Sequence, residues 1–231
     1  MATLFHHPFC PHSRFVRLVL AEYGVPVELV EERVWERHEA FLALNPAATT
    51  PVLVDENGLA VPGAAVISEY LDETLGAAAA AERRLMAADV VGRVEVRRLT
   101  SWFNDKFFEE VSGPLVMERI YKLAMTPEQG GGAPDSNAIR VARHNVRYHL
   151  AYIGWLLRTR NWLAGDRLSY ADLAAAAHLS LVDYLGDVPW REDDHAKNWY
   201  ARIKSRPSFR PLLADSVLGV PASPTYADLD F

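Results

Sequence analysis

His6–Gly24, HHPFCPHSRFVRLVLAEYG, is the stretch that decides the fold. The preceding ATLFHH (2–7) has the residues of a short strand, and Pro8 and Pro11 break it. Ser13 then reads as an N-cap. Phe15, Leu18, Val19 and Tyr23 follow at helical spacing, and Gly24 closes the helix. The only cysteine, Cys10, thus falls in a turn between a strand and a helix, where a helix N-terminus lowers a thiol's pKa.

Working outward, PVELVEER (26–33) alternates as a second strand, and ERHEAFLALNP (36–46) reads as a short helix. PVLVDENGLAV (51–61) is a hairpin about Asn57-Gly58. AAVISEYLDETLG (64–76) is a helix, so residues 1–76 run βαβαββα. Residues 77–86 read as an Ala-rich linker. From 87 to 219 the texture is helical: a long amphipathic helix from residue 87, an exposed and mobile Gly/Pro loop (125–137), and three more helices. The last twelve residues, 220–231, read as an extended tail because of Pro221 and Pro224. The fold class is an α/β thioredoxin-like domain followed by an all-α bundle.

Composition sets further bounds. A chain of 231 residues holds one large or two small domains at roughly 100–200 residues each. A net charge of −6 argues against nucleic acid as main partner. No apolar run approaches the ~20 residues that span a bilayer, the N-terminus lacks the pattern of a signal peptide, and one cysteine fits a reducing compartment. The expectation is a cytoplasmic protein without direct membrane insertion. His6, His7 and His12 are the nearest approach to a metal set, but neighbouring strand residues point to opposite faces, so no metal is expected.

Four segments carry a family resemblance: PFCPHSRFVRLVLAEYG, NPAATTPVLVDENG, AVISEYLDETLG and LAGDRLSYADLAAAAHL. Together they resemble the glutathione S-transferase superfamily over residues 1 to about 215. The resemblance implies a cis-proline at Pro51. It also implies that glutathione needs a hydroxyl or thiol near the first helix, the cis-proline backbone, and a Glu-Ser pair opening the A-I-x-E-Y-L helix. Counting back from Glu69-Tyr70 puts that pair on Gly63 and Ala64, so both polar groups are absent. Each unmet polar group costs ~1–3 kcal/mol, and two remove about a hundredfold or more in affinity. Ser169 and Asp172 form a capping box in the last motif.

Two readings of Cys10 stand side by side. It is a small residue in a tight turn, marking where the family's chemistry was. Alternatively it is the nucleophile of a glutathione-dependent transferase or reductase, with Ser13 as runner-up and Pro51 on the peptide. The non-catalytic reading leads, with no cofactor.

Other residues suit protein binding. Trp35 sits in a charged segment, as an exposed anchor or tucked under the second helix; Arg119 and Tyr121 are weaker candidates. In the tail, Tyr226, Leu229 and Phe231 interleave with Asp228 and Asp230, as in a linear docking motif. The alternative is a tail folded back on its own domain. On the docking reading, truncating residues 226–231 leaves the melting temperature unchanged. Arg140, Arg143 and Arg147 form a stripe that either is a solvated face or receives an acidic segment. The combination of a transferase-like body, the lost pair and this tail resembles the transferase-like division proteins of alphaproteobacteria. That resemblance implies binding to FtsZ polymers at the division site, effects on filament curvature and constriction, tail contacts to further division proteins, and a homodimer.

Overall fold

The computed structural model describes residues 1–229. Its first half holds β1 (Ala2–His6), α1 (Pro11–Tyr23), β2 (Val27–Glu31), α2 (Glu39–Leu44), β3 (Val52–Val54), β4 (Ala60–Pro62) and α3 (Ala64–Leu71), extended by a π-helical turn at Asp72–Gly76. The sheet order is β2-β1-β3-β4. β1 pairs parallel with β2, and β3 pairs antiparallel with both β1 and β4. The hairpin forms because Asp55 Oδ1 accepts the N–H groups of Asn57 and Leu59, both at 2.8 Å, while Gly58 takes a φ of 85°. Strand alternation then sends Leu4 into the core, and Phe5 to the other face against Phe41 of α2.

Helix α1 begins earlier than its apolar pattern suggests. Pro11 occupies its first turn and Cys10 is the N-cap. A proline there gives up an N–H that has no intrahelical partner and sets φ for the helix. Ser13 is therefore not the cap. It is fully buried in the first turn and accepts the His7 N–H at 3.4 Å.

The second half is all helical. Asp89 caps α4 (Val90–Ser101), which runs end to end through a π-helical segment Trp102–Ser112, α5 (Gly113–Val116), a second π-helical segment Met117–Tyr121 and α6 (Lys122–Ala124). Then come α7 (Ser136–Leu157), α8 (Tyr170–Tyr184), α9 (Asp194–Lys204), α10 (Arg210–Leu213) and α11 (Pro224–Ala227). Every residue of α8 is buried, which explains its Ala-rich sequence and why its polar residues, such as Asp172 and His178, are hydrogen-bonded inside the body. Its start is fixed by Asp172. That carboxylate accepts the N–H and hydroxyl of Ser169 at 3.0 and 2.8 Å, the Leu163 N–H at 2.8 Å and the Trp199 indole at 2.9 Å.

α1 packs across α8 and joins the two halves. Arg14 is fully buried between them; its guanidinium donates to the Pro8 carbonyl (2.7 Å), Ser180 Oγ (2.8 Å), Tyr226 OH (3.1 Å) and Asp215 (3.4 Å). Arg17 completes the pairing with Asp215 at 2.7 Å. A buried guanidinium holds its charge only when its donors are met, and here they are met from both halves.

The tail corrects the extended-motif reading. Pro224 opens a helical turn rather than preventing one. Tyr226 is buried: its hydroxyl donates to the Leu212 carbonyl at 2.6 Å, and its ring meets Tyr184 edge-on at 5.0 Å. Buried Lys204 donates to the carbonyls of Thr225 and, at 2.7 Å, of Asp228. Tyr226 thus belongs to the body, while Asp228 is held through its main-chain carbonyl and is itself exposed; truncation at 226 is now expected to lower stability. Leu229 is exposed, and Asp230 and Phe231 lie outside the described residues. No helix among the described residues is long and apolar enough to cross a membrane.

Candidate functional site

The N-terminus of α1, the loop before β3, the start of α3 and the π-helical segment 102–112 converge on a cavity of about 430 Å³. Cys10 and His12 line it from α1, Thr49 and Thr50 from the loop, Gly63–Val66 from α3, and Asn104, Phe108, Met117 and Tyr121 from the long helix. π-helical backbone is rare and tends to mark functional sites, and here it aims Asn104 and Phe108 at α1.

The Cys10 thiol donates to the Thr50 carbonyl at 3.5 Å, next to the cis Thr50–Pro51 bond. His12 Nε2 donates to the Asn104 carbonyl at 2.8 Å, which leaves Nδ1 of the neutral ring able to take a proton. Burial pushes the thiol up, but the neighbouring His12, helped by Ser13 and Thr50, outweighs it and brings Cys10 down to about 7. His12 moves the opposite way: burial disfavours its charge, yet Cys10 and the Asn104 carbonyl raise it overall. Behind them His178 is fully buried, hydrogen-bonded to Ser112 and Asn104, and held neutral well below its usual range by burial and by His12. The shifts of Cys10 and His12 run in opposite directions, each favouring the charged form of the pair. No sequence signal foretold Asn104, ninety-two residues away from His12.

The opposite wall lacks what a γ-glutamyl group needs. α3 opens at Gly63 and Ala64, followed by Ala65 and Val66, all on the cavity. The first hydroxyl on that helix, Ser68, donates to the Ala65 carbonyl. The Gly63 N–H is also used, by the Pro51 carbonyl at 2.9 Å. A zwitterionic end has no charged or hydroxyl side chain to meet on that helix turn, so these residues do not fit glutathione's γ-glutamyl end.

With this fold and this cavity, comparison with known proteins is direct. Residues 9–74 match the glutathione S-transferase N-terminal domain and residues 114–207 the C-terminal domain. FtsZ-localized protein A of Caulobacter vibrioides is 45% identical over 232 residues, covering 99% of this chain and 98% of that protein. The chain belongs to the glutathione S-transferase family. Within that family, the crystal structure of a glutathione S-transferase from Sinorhizobium meliloti 1021 is 58% identical and superposes with a TM-score of 0.97 over all of both chains. FzlA from C. crescentus superposes at 0.91 with 45% identity, over 100% of this chain and 99% of the other.

The partner-binding candidates separate into three places. Trp35 is half-buried rather than freely exposed. Its ring packs at a tilt against those of Tyr121 (5.0 Å) and His7 (5.5 Å), and His7 meets Tyr121 edge-on at 4.8 Å. The indole Nε1 is buried with no hydrogen-bond partner among the described residues. Trp35 and Tyr121 thus form one cluster at the cavity. Arg119 lies elsewhere, paired with Asp187 and donating to the Leu185 carbonyl. The tail packs on Arg14. Ser13 does not line the cavity, which removes it as a substitute nucleophile. Arg14 was discoverable: it shares a helix face with Leu18, and a charge on an apolar face calls for buried partners.

Proposed function

We propose that this chain is a non-catalytic, FtsZ-associated member of the glutathione S-transferase family. It binds FtsZ polymers through its folded body, works in the cytoplasm at the division site, and promotes filament curvature and constriction. The full-length likeness to FtsZ-localized protein A carries this reading. The missing γ-glutamyl partners at Gly63 and Ala64 support its non-catalytic part. Trp35 and Tyr121, the partly exposed members of the cluster with buried His7, are the proposed filament contact, because large aromatic side chains are favoured as interface anchors. A homodimer fits the exposed Val90, Val91 and Val94 on α4. The proposed tail contact to further division proteins uses the exposed Asp228 and Leu229 with the two residues after them.

Co-sedimentation with GTP-assembled FtsZ, against FtsZ kept unassembled in GDP, tests the reading. Pelleting with polymer only, weakened by Trp35→Ala, is the expected result; no pelleting at micromolar concentrations overturns it. Electron microscopy of the same mixtures reads curvature.

One observation favours a second reading, a glutathione-dependent transferase or reductase. Cys10 sits on the cavity with its thiol lowered to about 7 beside His12. Calorimetric titration with glutathione decides it: saturable heat that Cys10→Ala abolishes supports the enzyme, and its absence removes it.

A further inference from the structure

The arginine stripe of α7 borders a groove. Arg140, Arg143 and Arg147, with Arg119 from the Met117–Tyr121 segment, line a groove of about 530 Å³ that also includes Ile139 and His144. We infer that this groove is a docking site for an acidic, extended peptide segment of a partner protein. Nothing in this inference depends on FtsZ binding.

The arginines are positioned before any partner arrives. Asp187, almost fully buried, accepts Arg143 Nε at 2.7 Å and also holds Arg119, which donates further to the Leu185 carbonyl at 3.2 Å. Glu192 holds Arg147 Nε at 2.9 Å, and Asn137 holds Arg140 at 2.6 Å. Each guanidinium has five N–H donors, and these anchors engage only one edge of each. Fixing the side chains in advance lowers the ordering cost of binding. Charge points the same way: four arginines face two carboxylates, a local positive surplus on a chain of net charge −6.

Dimensions choose between anions. Arg140 to Arg147 spans seven residues, about 10 Å along the helix at 1.5 Å per residue. Alternate residues of an extended chain repeat about every 6.6 Å, close to the roughly 4.5–6 Å between successive arginines, so flexible arginine side chains can reach carboxylates at alternate positions. Ile139 and the arginine stems offer apolar contact for the residue between. A nucleic acid or an anionic membrane extends far beyond this groove, onto a surface whose overall charge repels it.

The test is fluorescence anisotropy on the full chain with a labelled Asp-Leu-Asp-Leu-Asp peptide and its Asn-Leu-Asn-Leu-Asn counterpart. The Arg140→Gln/Arg147→Gln variant is the control; both residues are exposed and have only surface partners, and its melting curve verifies the fold. Saturable binding of the acidic peptide is expected. The Asn peptide and the variant should bind at least tenfold more weakly, and binding should fall as salt rises from about 50 to about 300 mM. Equal affinities, or no binding of the acidic peptide, overturn the inference. It is also overturned if a single-stranded oligonucleotide or phosphatidylserine vesicles bind more tightly than the peptide and lose binding in the same variant.

Discussion

Replacing Tyr226 with alanine measures how much of the fold its last turn secures. The ring is buried against Tyr184 and Arg14, and the hydroxyl bridges the Leu212 carbonyl and the Arg14 guanidinium. Truncating a buried aromatic to Ala costs about 3–5 kcal/mol. In a chain of this size about 2–4 °C accompanies each kcal/mol, so Tyr226→Ala should melt roughly 6–20 °C lower. Tyr226→Phe keeps the ring and removes only the hydroxyl. Arg14 retains Pro8, Ser180 and Asp215, so the Phe variant should cost about 1–2 kcal/mol, or roughly 2–8 °C. Circular dichroism melts of both variants, and of a chain ending at Thr225, provide the assay. An Ala variant or a truncated chain that melts within about 2 °C of the parent would refute the claim that this turn is part of the core.

Cys10 should react with iodoacetamide along a titration centred near pH 7, and His12→Ala should move that midpoint upward because the largest influence opposing burial is then gone; an unmoved midpoint removes His12 as the cause. Burial lowers His6 to about 4 and His7 to about 3, so below pH 6.5 the unfolded chain binds protons that the folded chain refuses. Each then takes away about 2 kcal/mol of stability by pH 5, and the loss in urea midpoint from pH 8 to pH 5 should shrink in His7→Phe; an equal loss contradicts the assignment. Asp172→Ala leaves four buried donors without an acceptor and should cost about 3–5 kcal/mol by urea denaturation, whereas a loss below about 1 kcal/mol would mean that water or rearrangement replaces the carboxylate.

What the sequence determined by itself was local in origin. Strand alternation, the Asn57-Gly58 turn and the proline and glycine punctuation wrote the βαβαββα order into short windows. The capping partners Ser169 and Asp172 stand three residues apart, so their meeting follows from helix geometry alone. The empty γ-glutamyl positions were legible because Gly63 and Ala64 lie within one turn of a recognisable helix. Tertiary structure alone decided the rest, because it depends on contacts between residues far apart in the chain. Tyr226 folds back since Arg14, 212 residues away, needs a hydroxyl and a ring that the sequence cannot place beside it. Cys10 gains its low pKa from a histidine oriented by Asn104, and Trp35 becomes half-buried only when Tyr121 arrives from the other half of the chain. Periodicity specifies which face of an element is apolar; packing decides which distant groups meet there, and those meetings set burial, charge and the groups a partner can reach.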